Sequence, residues 1–158
     1  MSETAKQSLL DLMEETHSDL LNTIVNVDLE IIIHNDSGWR GREMLSHIGA
    51  WDREVAKGLH EYLSGGEYLI PDYDEDRYND QAAKAQQNMT TTEIIVDWKS
   101  ARKELIEAVE MIPVDSFSGD LQYPWGDERG TIYDLGKYLC DHDIEHKEEI
   151  EKFMRELG

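Results

Sequence analysis

Four stretches of this chain repeat apolar residues at intervals of three and four, the spacing that puts a buried stripe along one side of an α-helix. Leu9, Leu10, Met13, Leu20, Leu21 and Ile24 form the first stripe and predict a helix from near Thr4 to about Asn26. Met44, Leu45, Ile48, Trp51, Val55 and Leu59 predict a second from Arg40 to Leu63. A capping box opens the third: in Thr90-Thr-Thr-Glu93, Thr90 accepts from the third helical amide and Glu93 reaches back. Its stripe runs from Ile94 and Ile95 through Trp98, Ala101, Leu105 and Val109 to Ile112, where Pro113 enforces the end. Thr131 with Asp134 opens the fourth by the same capping logic, and Leu135, Leu139, His142, His146, Ile150 and Phe153 carry it to Leu157.

Four long amphipathic helices predict an all-α four-helix bundle, read as one domain over residues 1–158. The connections refine this. Ile31, Ile32 and Ile33 sit between the first two helices and are expected to pack locally beneath the bundle, with an extended segment as the alternative; Asp36, Ser37 and Gly38 then supply a turn. Ser64-Gly65-Gly66 ends the second helix, because glycine takes the left-handed cap conformation cheaply. A loop over Tyr68 to Asp80 leads to a short helix through Gln81 to Gln87. From Val114 to Gly130 an aromatic loop is expected to cover one end of the bundle and to wall a pocket. These longer crossover connections, after the second helix and before the fourth, are unlike a simple up-down-up-down set of hairpins.

At 158 residues the chain can bury one sizeable core. Its 35 acidic against 15 basic residues give a formal charge of −20, which repels phosphate backbones and anionic headgroups and argues against nucleic-acid and membrane partners. The acid excess reads as a solubility device. No apolar run approaches the length of a membrane span and the N-terminus lacks a basic region followed by an apolar stretch, so a cytoplasmic location is expected. The single cysteine, Cys140, cannot form an internal disulfide. It lies about 200° around the helix from His142 and reads as a buried structural thiol.

The chemistry concentrates in histidine. His142 and His146 are one helical turn apart and can aim both imidazoles at one point, and His47 could complete a facial triad from another helix. Three imidazoles leave coordination positions open, as suits a divalent ion that does chemistry or binds a ligand. Trp51 and Glu54 follow His47 on its own face, while Tyr138 and Glu149 share the face of His142. Glu54 or Glu149 could orient an imidazole or act as general base, the alternative being ordinary solvated or salt-bridged carboxylates. Trp51, Trp125 and Tyr138 could line a substrate or cofactor cavity, or be plain core. His17, His34 and His60 have no such partners, and His60, about 220° from His47, reads as surface. A di-iron bundle would need two Glu-x-x-His motifs, and only Asp143-Ile-Glu-His146 approximates one.

Two segments resemble a known family. Trp39-Arg-Gly-Arg-Glu-Met-Leu-Ser-His47 and His142-Asp-Ile-Glu-His146-Lys-Glu-Glu-Ile150 are similar to the signatures of the DinB/YfiT-like superfamily of metal-binding four-helix bundles, and the likeness extends over nearly the whole chain in length and helix order. The resemblance implies His47, His142 and His146 as metal ligands, the same three that the helical phase selects. Zinc, nickel or a similar divalent ion is expected on three imidazoles, and the resemblance implies, as in members that are thiol S-transferases, a low-molecular-weight thiol as cosubstrate. Other members include a mycothiol-dependent maleylpyruvate isomerase and a hydrolase that destroys a genotoxin. The chain departs from many relatives at Lys147-Glu148-Glu149, where they carry a glutamine. The expected function is thus transfer of a thiol to, or hydrolysis of, a small electrophilic molecule, with a homodimer as the expected assembly. The alternative is a non-catalytic bundle that binds a small molecule or a partner around a structural or vestigial ion.

Overall fold

The computed structural model describes residues 2–157. Four long helices are present: α1 (Ser2–Ile24), α2 (Gly41–Leu63), α4 (Thr91–Met111) and α5 (Ile132–Leu157), with a shorter α3 (Glu75–Ala85) between the second and third. The fold is an all-α bundle. Two antiparallel hairpins occupy connections, β1 (Ile32–His34) with β2 (Trp39–Arg40) and β3 (Asp120–Gln122) with β4 (Arg129–Thr131).

Side-chain pairings fix the helix directions. Leu9 and Met13 face Gly136 while Thr16 bonds Asp143, so α1 and α5 run parallel. Arg42 reaches Thr91 and Arg53 reaches Asp97 and Glu104, so α2 and α4 also run parallel. Lys6 donates to the carbonyls of Glu110 and Ile112 while His17 stacks on Trp98, which sets α4 antiparallel to α1. The order is therefore up-down-down-up. In the ring of neighbours α1 touches α5 and α4, and α2 touches α4 and α5. Sequential helices α1–α2 and α4–α5 stand diagonally, and α2–α4 must return to the same end, so every connection has ground to cover.

That is why the connections carry structure of their own. Ile32 pairs with Arg40 and His34 with Trp39, which makes the Ile31–Ile33 run part of a hairpin; only Ile33 of the three packs against the core. The expectation of local packing beneath the bundle gives way to the extended alternative. α3 starts at Glu75, six residues before Gln81, because Asp74 caps it by accepting from the Arg77 amide. Within the aromatic loop, Leu121 pairs with Gly130 in the second hairpin. The predicted caps are present: Thr90 with Glu93 on α4, Thr131 on the Asp134 amide, and Gly65 at φ +90° after α2. α1 ends at Ile24, two residues short of Asn26.

A polar layer cuts the core in two. One apolar cluster holds Leu9, Met13, Val55, Leu105, Val109 and Leu139; the other holds Leu20, Ile48, Ile94, Trp98 and Ile150. Between them on each long helix lies a buried polar residue: Thr16, Asp52, Arg102 and Asp143. The Arg102 guanidinium uses all five of its N–H donors. It bonds both oxygens of Asp52 at 3.0 and 3.2 Å, both of Asp143 at 2.8 and 3.1 Å, and the Met13 carbonyl at 3.0 Å. Thr16 donates to Asp143 at 2.8 Å. One cation thus ties all four helices at mid-height, and the side of that layer where α2 meets α5 carries the histidines.

Candidate metal centre

His47 projects from α2, and His142 and His146 from consecutive turns of α5. Because residues i and i+4 share one face of a helix, a single residue on the facing helix can meet both. Nε2 of His142 lies 2.7 Å from Nε2 of His47 and 2.9 Å from Nε2 of His146, and the three donor atoms all fall within 4.8 Å of one another. His47 and His146 are each only 7% exposed. Nitrogens bound to one ion at about 2.1 Å stand ~2.9–3.4 Å apart, so the His142–His146 pair sits at the lower edge of ligand geometry and the His47–His142 pair is slightly tighter than it.

Proton bookkeeping shows that these rings could hold a cation. Trp51 Nε1 is a donor only, and it points at Asn79 Oδ1 from 3.0 Å. The same oxygen lies 3.0 Å from His47 Nδ1, which must therefore also be the donor, leaving the Nε2 lone pair of His47 turned inward. A proton on His142 Nε2 can serve only one of its two neighbours, whereas a divalent ion serves all three nitrogens. Burial drives His47 down to about 3 and His142 down to about 2, with the adjacent His146 ring adding to both, so both are neutral at pH 7. The donor set fits a divalent metal.

A further layer supports the rings. Glu149 stands between two imidazoles, with Oε1 3.5 Å from His146 Nδ1 and Oε2 2.6 Å from His34 Nε2. His146 Nδ1 makes no hydrogen bond of good alignment among the described residues, so Glu149 faces it as a charge rather than as a directed acceptor. The two rings, His146 first, hold the Glu149 carboxyl down at about 2 against its partial burial. His34 in turn stacks on Trp39, whose ring sits 5.3 Å from that of His47. His34, read from sequence as partnerless, thus joins the site through the first hairpin.

The inward nitrogens border a cavity of about 720 Å³. Trp51, Trp125 and Tyr138 all line it, as does Tyr73, and α3 closes one flank with Asn79. Glu54 is not among the lining residues: its carboxylate accepts from Tyr68 at 2.6 Å and lies 3.3 Å from Lys57. Glu149 also stays behind His146 rather than in the cavity wall. Cys140 is fully buried, and His60 is exposed. A larger hollow of about 830 Å³ near Leu29, Met89 and Thr91 is remote from this chemistry and contains none of the histidines.

No protein-family model matches the chain, and no curated protein does. Among solved structures, an uncharacterised protein from Escherichia coli UTI89 superposes with a TM-score of 0.76 over 96% of this chain and 93% of its own, at 14% identity. At that identity the likeness speaks to the fold alone.

Sequence reasoning missed Asn79 and Arg102. Asn79 lies in a segment read as loop, where no helical phase assigned it a face. Arg102 carried a signal: it falls four residues after Trp98 and three before Leu105, squarely on the apolar stripe of α4, as Asp52 and Asp143 do on theirs.

Proposed function

We propose that the chain is a metal-dependent enzyme of the DinB/YfiT-like superfamily, acting on a small electrophilic molecule by thiol transfer or hydrolysis. One observation carries this reading: three histidine Nε2 atoms from two helices converge on the wall of a roomy cavity. Structural sites are closed by a fourth protein ligand, whereas catalytic sites keep a position open. Here three imidazoles converge, no carboxylate joins them within 4.8 Å among the described residues, and the remaining side opens on the cavity.

His47, His142 and His146 would hold the ion, for which zinc or nickel suits imidazole donors. When bound, such an ion supplies Lewis acidity, lowering the pKa of a coordinated water or low-molecular-weight thiol toward neutrality. The chain's own groups do the rest. Asn79 fixes the His47 tautomer, and the Glu149 charge favours a proton on His146 Nδ1, leaving that ring's Nε2 free. Glu145, adjacent to His146, lines the cavity without a cationic partner among the described residues and is a candidate to accept a proton from water or thiol. Trp51, Tyr73 and Trp125 supply an apolar wall to the reaction space.

Metal content of protein purified without an affinity metal, followed by zinc and nickel titration, tests the site. The expected result is one ion per chain in the wild type and none in His142→Ala, with the helical circular dichroism unchanged. A panel of electrophiles assayed with and without thiols then separates the reactions: thiol-dependent product marks a transferase, turnover without thiol a hydrolase. Full metal occupancy with no turnover, coupled to unfolding on metal removal, would instead establish a structural ion.

A further inference from the structure

The walls of this cavity differ from those of the other hollows in charge. Glu75, Asp127, Glu128, Asp141 and Glu145 line it, and no lysine or arginine does. The −20 formal charge alone does not explain that, because the other hollows mix signs: Arg42 and Lys99 with Asp28 and Glu30 in one, Arg129 and Lys137 with acidic residues in another, Lys99, Arg102 and Lys103 with glutamates in a third. Of the five acids, only Asp141 has a lysine or arginine within 4 Å among the described residues, Lys137 at 3.5 Å.

The four aromatic lining residues form an open-sided box, a continuous row running Tyr73, Trp51, Trp125, Tyr138. Trp51 meets Tyr73 at 79° with ring centres 5.8 Å apart, and meets Trp125 at 73° and 6.0 Å. Trp125 meets Tyr138 at 84° and 5.8 Å. All four rings line one cavity, and an organic cation seated over a ring face there would be attracted by the ring quadrupole. Glu128 locks two of these walls, accepting from Trp125 Nε1 at 3.0 Å and from the Tyr138 hydroxyl at 2.6 Å. Its carboxylate thereby adds a fixed negative charge beside the box.

The box stands one helical turn from the metal centre on both helices that build it. Trp51 is four residues beyond His47 on α2, and Tyr138 four residues before His142 on α5. Since these helices are antiparallel, both steps lead in the same direction, about 5–6 Å along the bundle. Resting on the reading of the three histidines as a reaction centre, we infer that the substrate of this site carries a positively charged ammonium group, held in the Trp51–Tyr73–Trp125–Tyr138 box while the reacting group reaches the histidines.

The test compares choline with its neutral isostere 3,3-dimethylbutan-1-ol on the zinc-loaded full-length protein, by tryptophan fluorescence and calorimetry. Ionic strength is held at 0.15 M, where the Debye length of about 8 Å screens the general surface field. Choline is expected to bind roughly tenfold tighter than the isostere. Tyr138→Leu, at a position 47% exposed and thus safe for folding, and Glu128→Gln should each weaken choline several-fold while leaving the isostere nearly unchanged. Equal affinity for the two probes, tighter binding of the neutral one, or no choline binding at tens of millimolar would overturn the inference. Zinc content measured on the same samples keeps the two readings apart: stoichiometric zinc without cation preference defeats this inference alone, whereas absent zinc defeats the metal centre.

Discussion

Asn79 is one oxygen serving two donors, and that single atom decides how His47 presents itself. With the His47 Nδ1 proton anchored there, Nε2 is free for a ligand; without it the ring can adopt the other tautomer or rotate. Asn79→Ala is expected to weaken zinc binding by ~10- to 100-fold, the range for losing such a partner, while Asn79→Asp, which keeps an acceptor, should restore most of it. Competition against a chelator of known affinity measures both. Equal losses in the two variants would mean that Asn79 shapes the loop rather than the imidazole. At this scale the sequence was legible where helical phase applied. The three histidines share faces that a 3.6-residue period assigns, so their convergence could be anticipated. Asn79 and His34 reach the site from α3 and a hairpin, whose placement depends on tertiary packing that no local period encodes.

The long helices of the bundle were readable because their apolar stripes and caps are local features, and the boundaries fell within a residue or two at most ends. The hairpins and the start of α3 were not, since short elements are fixed by what they span. The charged layer has another cause of concealment. Arg102 sits where α4 should present an apolar side chain, and only the simultaneous placement of Asp52 and Asp143 on the facing helices makes a buried guanidinium tolerable. Removing the cation alone strands two buried carboxylates, so Arg102→Met should cost about 3–5 kcal/mol in urea unfolding. Adding Asp52→Leu and Asp143→Leu to that variant should recover most of the loss, because burying a paired charge cluster gains little over good apolar packing. Failure of the triple variant to recover would indicate that the layer sets helix register, with the two apolar clusters unable to align without it.

At the scale of the whole molecule, protonation couples the site to stability. His17, His47 and His142 are lowered, chiefly by burial, to about 4, 3 and 2, below their unfolded value of 6.5. A depressed pKa stabilises the fold above the unfolded value, and the contribution is lost as pH falls below 6.5 toward those folded values. Asp52 acts in the opposite sense: burial raises it above its ordinary 3.8, so its share grows as pH falls toward that value. Three imidazoles outweigh one carboxyl, so near pH 5 the folded metal-free chain binds fewer protons than the unfolded one. Its melting temperature should therefore drop steadily between pH 6.5 and 4.5, although the −20 charge makes self-repulsion strongest at the neutral end. Below 4.5 the decline should continue as Glu149, held at about 2, loses its contribution. Saturating zinc should raise the melting temperature at pH 7, since an ion that binds only the folded chain stabilises it, and that increment should vanish on acidification as protons compete for the imidazoles. Melting curves across pH 4–8, with and without zinc and for His142→Ala, check each part. A zinc increment that is constant with pH, or equal in the variant, would place the ion on surface carboxylates instead of the three rings.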